Sequence, residues 1–194
     1  LEMSQEQLGQ RLIAMQARVE SEKLKKGTLD LKDWDRINFA LNELNNTKIV
    51  IDDTPGISIM EMRNKCRRLK AEQGLDLIVV DYLQLMTFDG RADSRQQEIS
   101  ALSRHLKLLA REMNCPVIVL SQLSRAPELR QDKRPMLSDL RESGSIEQDA
   151  DIVMFLYRDD YYNENTEKPG VCEINIAKHR SGPTDRIDLT WVAR

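Results

Sequence analysis

Two apolar runs in this chain end on side chains that can handle a phosphate and its metal ion. In Asp76-Leu77-Ile78-Val79-Val80-Asp81 a continuous apolar stretch stops on a carboxylate, Asp81. Such a run suits a central strand of a parallel sheet covered on both faces. Open α/β sheets bind ligands outside the carboxyl ends of their strands. A carboxylate placed there can hold Mg²⁺ through water; the plainer reading is an aspartate that caps the next turn. The run Pro116-Val117-Ile118-Val119-Leu120-Ser121 is followed by Gln122. Its amide could bond a γ-phosphate or orient an attacking water, or merely cap the strand end.

Three further groups can carry chemistry. Glu2, ahead of the first helix, is a candidate general base for water attack, since such a base is often a carboxylate beside the nucleotide; otherwise it is a solvated terminal charge. Residues 139–148, with Arg141, Glu142, Gly144 and Ser145, combine a cation with small residues. That mixture lets a nucleic-acid phosphate approach backbone amides without any reading of bases, unless the segment is an acidic solvated turn. Lys178 and Arg180 stand two residues apart, a spacing that points both the same way on a strand. An arginine at a domain edge can complete a neighbouring subunit's phosphate site; the alternative is a positively charged hairpin tip. Arg63, Lys65, Arg67, Arg68 and Lys70 share one helix and read as a solvated face, with a functional role as the alternative. His105 and His179 are too isolated to argue a metal site.

The elements that must position these groups follow from periodicity. Ser4 with Gln7 three residues on predicts a capped helix start, and Leu8, Leu12, Met15 and Val19 recur at helical spacing until Gly27. Residues 31–44 predict a helix with Trp34, Ile37, Leu41 and Leu44 on one face. Strands are predicted at 48–53, 76–81, 116–121, 151–157, 171–177 and 186–192. Helices are predicted at 58–72 and at 95–113, the latter burying Ile99, Leu102, Leu106 and Leu109. Residues 87–94, 123–135 and 158–170 read as loops. Strands alternating with helices through the first two-thirds argue for right-handed crossovers and a mainly parallel sheet. The last two strands, joined through Gly182-Pro183, predict an antiparallel hairpin at one edge.

The 194 residues make one domain or most of one, with 40% hydrophobic and 31% charged residues, as in ordinary soluble proteins. A net charge of −3 excludes a globally basic chain, so nucleic-acid contact must come from a local patch. No apolar stretch approaches a membrane span, and no signal peptide is visible. Cys66, Cys115 and Cys172 suit neither zinc nor a disulfide framework and read as reduced thiols of a cytosolic protein. The chain opens on Leu1 without an initiator Met and closes on Trp191-Val192-Ala193-Arg194, so it reads as a fragment of a longer polypeptide.

Five pieces in this order resemble one family: Leu1-Glu2-Met3-Ser4 and residues 77–85, 117–125, 139–151 and 178–183. They look like the ATPase domain of bacterial replicative DNA helicases, the DnaB family, across essentially the whole chain. The resemblance implies a RecA-like P-loop NTPase core that uses ATP and Mg²⁺ and assembles as a homohexameric ring around single-stranded DNA. It implies that Glu2 activates water, that Asp81 is the Walker B acid holding Mg²⁺, and that Gln122 senses the γ-phosphate. By the same resemblance Arg141, Glu142 and Gly144 lie on a DNA-binding loop, and Lys178 and Arg180 reach the neighbouring subunit's ATP site. Primase and a helicase loader are the implied protein partners, the cytoplasm and its nucleoid the implied location. A recombination or repair ATPase of the RecA type is an alternative, opposed by residues 141–148. A non-catalytic binding module on a degenerate ATPase fold is another, opposed by the retained Glu2, Asp81, Gln122 and Arg180.

Two departures from the family pattern stand out. None of the eight glycines, at 9, 27, 56, 74, 90, 144, 170 and 182, begins a GK[ST] ending, so no Walker A loop GxxxxGK[ST] is present. The family places that loop shortly upstream of the segment matching Leu1, together with the first sheet strand, the linker helix and the N-terminal domain. The chain alone is therefore expected to bind ATP weakly and to hydrolyse none. Asp185 stands where the family has glycine, which leaves the hairpin turn open.

Overall fold

The computed structural model describes residues 3–140 and 144–192. Glu2, Arg141 and Glu142 lie outside the described residues. The chain divides into two compact units, one running to Pro55 and taking in Val192 onward, the other Gly56–Trp191.

The first unit is helical. Helix α1 (Gln5–Ala17) starts at Ser4, whose hydroxyl accepts from the Gln7 N–H while the Gln7 side chain accepts from the Ser4 N–H. The apolar spacing through Val19 predicts a longer helix than forms. Arg18 turns into the left-handed region (φ 55°) and a separate short helix, α2 (Ser21–Lys26), follows. Ending α1 there buries Val19 with Ala17, Ile37 and Ala40, and leaves Met15 exposed. Helix α3 (Leu31–Asn45) buries Ile37 and Ala40, whereas Trp34 and Leu41 of the predicted face stay exposed. Residues 48–53 form no strand. The stretch is largely exposed and pairs with no strand among the described residues, so its propensity has no ladder to join.

The second unit carries every sheet. Strand β1 (Ile78–Val80) pairs in parallel with β2 (Val117–Val119), Val80 opposite Val119. Helix α4 (Ile59–Gln73) precedes β1, and α5 (Arg95–Met113) links β1 to β2. The predicted stripe of α5 is the core: Ile99, Leu102, Leu106 and Leu109 are all at most 4% exposed. The basic face of α4 serves packing. Arg63 bonds Glu112 at 2.6 Å, Arg67 bonds the same carboxylate, and Lys70 donates to the Met113 carbonyl, which fastens α4 to the end of α5. Two short helices, α6 (Ala126–Leu129) and α7 (Gly144–Asp149), lead to strand β3 (Ile152–Tyr157). β3 pairs antiparallel with β4 (Val171–His179), and β4 with β5 (Asp185–Thr190).

The predicted edge hairpin is thus β4–β5, and β5 opens on Asp185 itself, whose carboxylate accepts from the Arg186 N–H at 2.7 Å. The turn is tight at Gly182, where a Cβ would lie 2.4 Å from the His179 ring. None of Cys66, Cys115 and Cys172 is in a disulfide. Among the described residues no helix is long and apolar enough to cross a membrane.

Candidate functional site

The strand pairing brings Asp81 and Gln122 to the same end of one parallel pair. Leu120 donates to the Val80 carbonyl and Leu83 donates to the Leu120 carbonyl, both at 2.9 Å, so the ladder continues past the formal strand ends. Asp81 and Gln122 follow at the carboxyl ends of adjacent parallel strands, both exposed. Neighbouring strands lie about 4.8 Å apart, and Gln122 stands two residues further along its strand than Leu120, which lies opposite Asp81.

Gln84 locks this corner, a role that nothing in its local sequence signals. Its carbonyl oxygen accepts from the Gln122 N–H at 3.1 Å, and its amide donates to the Ser121 hydroxyl at 3.0 Å. Arg95, at the start of α5, donates to the Gln84 backbone carbonyl at 2.5 Å. Among the described residues the Asp81 carboxylate and the Gln122 side-chain amide make no hydrogen bond or ion pair of their own. The backbone is fixed while the chemical groups stay available.

Asp139 anchors the chain just before the segment 141–143. Its carboxylate is 1% exposed as a residue and takes both Arg130 amino groups, at 2.9 and 2.6 Å, and the Met136 N–H at 2.8 Å. Burial pushes its acidity the other way, but these bonds outweigh it and hold the carboxyl below the usual range. The Asp139 carbonyl accepts from the Ser124 N–H at 3.0 Å, two residues beyond Gln122. The stretch holding Gln122 is therefore bonded to the residue that introduces the segment containing Arg141 and Glu142.

Gly144 is the first residue of α7. α7 lies on α5 through a polar stripe one position beyond the apolar one. The Ser145 hydroxyl donates to that of Ser100 at 2.8 Å, and the Ser103 hydroxyl donates to Asp149 at 2.9 Å. Lys107 pairs with Asp151 just past the helix. Ser100, Ser103 and Lys107 recur at helical spacing, a signal the sequence did contain.

Lys178 and Arg180 do point the same way, and both point at α7. Lys178 donates to the Glu147 carbonyl, and Arg180 Nη2 donates to the Gln148 carbonyl at 3.1 Å. The Arg180 N–H donates to the Asp151 carbonyl at 2.8 Å, with Nε 3.6 Å from the Asp151 carboxylate. The ladder between β3 and β4 slips at Val153/Met154, where Ala177 is the extra residue on β4. Such bulges re-aim neighbouring side chains, here Lys178. No hydrogen bond or ion pair among the described residues joins this pair to Asp81 or Gln122.

β4 itself is held by a charged knot. Glu173, 2% exposed, receives Arg134 through two bonds at 2.8 and 3.0 Å and Lys168 at 3.3 Å. The Arg134 bonds dominate and hold its carboxyl down at about 2. Burial, and then the bond to Asp159, push the Tyr157 phenol beneath Arg134 up to about 12.

The whole chain, residues 1–194, matches the family described as DnaB-like helicase C terminal domain. It is 55% identical over 193 residues to the replicative DNA helicase DnaC of Bacillus subtilis and 54% identical to the replicative DNA helicase DnaB of Geobacillus stearothermophilus. Each alignment covers 99% of this chain and 42% of the relative, so the chain spans less than half the length of these curated relatives. Among solved structures, a DnaB-like replicative helicase studied for its interactions with primase superposes with a TM-score of 0.94 at 45% identity, over 98% of this chain and 48% of that one. A second solved structure, that of an isolated ATPase domain, superposes equally well, TM-score 0.94 at 45% identity, over 98% of this chain and 69% of that domain. The strand-end carboxylate and amide, the short α7 and the β4–β5 hairpin therefore sit on a RecA-like frame, and the chain belongs to the DnaB-like helicase C-terminal domain family.

Proposed function

We propose that this chain is the larger part of the motor domain of a replicative DNA helicase. In the full-length protein the domain is completed upstream by the Walker A loop, and preceded by a linker helix and an N-terminal domain. The protein works as a homohexameric ring that hydrolyses ATP, moves along single-stranded DNA and opens duplex at the replication fork. Primase and a helicase loader are its partners, and the cytoplasm, at the nucleoid, is its location.

One observation supports this reading above the others: Asp81 and Gln122 share one end of a parallel strand pair, with their backbones locked by Gln84. The donor set suits Mg²⁺ and a nucleotide. Asp81 offers an exposed carboxylate that pairs with no cation among the described residues, and a hard cation takes oxygen ligands while keeping several waters. Bound Mg·ATP supplies the phosphoryl group and neutralises charge on it. With it bound, Asp81 would hold Mg²⁺ through water, Gln122 would donate to the γ-phosphate, and Glu2 would take the proton of the attacking water. Lys178 and Arg180 serve the nucleotide of the adjacent subunit, and Arg141, Glu142 and Gly144 lie on the DNA-binding loop, where Arg141 supplies the charge that meets the DNA backbone.

The test is ATP turnover of the full-length protein with and without single-stranded DNA. DNA-stimulated turnover is expected. Arg180→Ala is expected to lower it by about 10³–10⁵, the worth of an arginine finger, with nucleotide binding retained. Absence of turnover in the intact protein would replace the motor with a DNA- or partner-binding module.

A further inference from the structure

The pair Lys178 and Arg180 is not loose on the hairpin. Two flexible cations share one receptor, the last carbonyls of α7 and the Asp151 that follows it. That receptor is itself fixed from below. Lys107 holds the Asp151 carboxylate, Ser103 holds Asp149, and both come from α5, whose adjoining stripe is the buried core.

Arg180 is only partly used by these contacts. Nη2 is committed to the Gln148 carbonyl and Nε faces Asp151, while the side chain remains 52% exposed. A guanidinium has five N–H donors in a rigid fork, so one edge can be held while the other meets a phosphate. A carboxylate beside Nε fixes the plane of that fork.

We propose that Asp151, held by Lys107, is a positioning residue. It sets the pose of Arg180 from which the free edge of the guanidinium reaches the nucleotide of a neighbouring subunit. This rests on the reading of Arg180 under the proposed function. α7 carries Gly144 at one end and the Arg180 receptor at the other, so the pose of Arg180 is tied to the segment that faces DNA. A displacement of about 1 Å in such a group can cost up to 10²-fold in rate.

The experiment uses the full-length hexamer and steady-state ATP hydrolysis with single-stranded DNA. Asp151→Asn is expected to lower kcat about tenfold while leaving the KM for ATP within about twofold, as loss of an interaction realised only in the transition state does. Asp151→Glu should recover part of the loss. In an Arg180→Lys background Asp151→Asn should add nothing, because residues acting through one another are non-additive. A kcat unchanged in a correctly assembled Asp151→Asn hexamer overturns the proposal, and so does an equal loss in both backgrounds. Should Asp151→Asn fail to assemble, Lys107→Met leaves the carboxylate in place without its anchor, and the same two results decide. Arg180→Ala separates the two readings. If that variant keeps full turnover, the shared-site reading is wrong; if it is dead while Asp151→Asn is normal, only the positioning role is.

Discussion

The corner at the ends of β1 and β2 and the corner between α7 and β4 both collect polar groups, and they fix opposite parts of them. At the first, protein bonds hold the backbone around Gln122 and leave the Asp81 and Gln122 side chains free. At the second, the side chains of Lys178 and Arg180 are themselves tied down. Chain length explains the contrast. Asp is short, so fixing its Cα nearly fixes the functional group, and the Gln122 amide has one torsion fewer to order than a Lys or Arg head. Lys and Arg carry about 2 kcal/mol of rotamer entropy each, and a group meant to act at a distance gains from having that freedom removed beforehand.

The sharpest way to break this comparison is at Asp81. Asp81→Asn keeps the shape and removes the charge, and should lower hydrolysis by the full-length protein about 10³-fold, equal to about 4 kcal/mol. Turnover within tenfold of the parent would show that the β1–β2 corner is not where the metal is held. Next in size is Glu173→Gln, which leaves Arg134 and Lys168 without their buried partner. Breaking such a pair should cost about 3 kcal/mol in denaturant unfolding. The Glu173 carboxyl is depressed from its ordinary 4.5 to about 2. The unfolded chain therefore takes up the proton first, and this stabilisation, complete above about pH 4.5, fades as pH falls towards 2. Glu173→Gln should flatten stability across that window; an unchanged slope would assign the acid sensitivity to other carboxylates. The smallest expected effect is Gln84→Ala. Three hydrogen bonds go, the longest at 3.4 Å, for about 1–2 kcal/mol of stability, and turnover should fall several-fold as the Gln122 backbone loses its lock. A Gln84→Ala protein with normal turnover would mean that the strand ladder alone aligns the corner.

What the sequence disclosed tracks how local the cause is. The Ser4 cap with Gln7 and the α5 stripe are set within a few residues, and both form where periodicity puts them. The positions of Asp81 and Gln122 were legible because a continuous apolar run announces where its strand stops, although the predicted cover on both faces is not met: Val79 and Ile118 are exposed. Their lock was not, since Gln84 and Gln122 are 38 residues apart and either glutamine alone is ordinary on a loop. The equal spacing of Lys178 and Arg180 was visible, but the receptor 32 residues earlier in α7 was not. The run at 48–53 shows the converse failure: its composition is right for a strand, and pairing is decided by distant chain. The basic face of α4 misled in the same way, since its partner carboxylate, Glu112, comes from another helix.

β3 alternates buried Val153, Phe155 and Tyr157 with exposed Ile152, Met154 and Leu156, the last at 63% exposure. Successive side chains on a strand face opposite ways, so the inner and outer rows are independent registers of information. The inner row states how this segment packs within the chain, and the outer row, equally apolar, is a face that the chain by itself leaves unread.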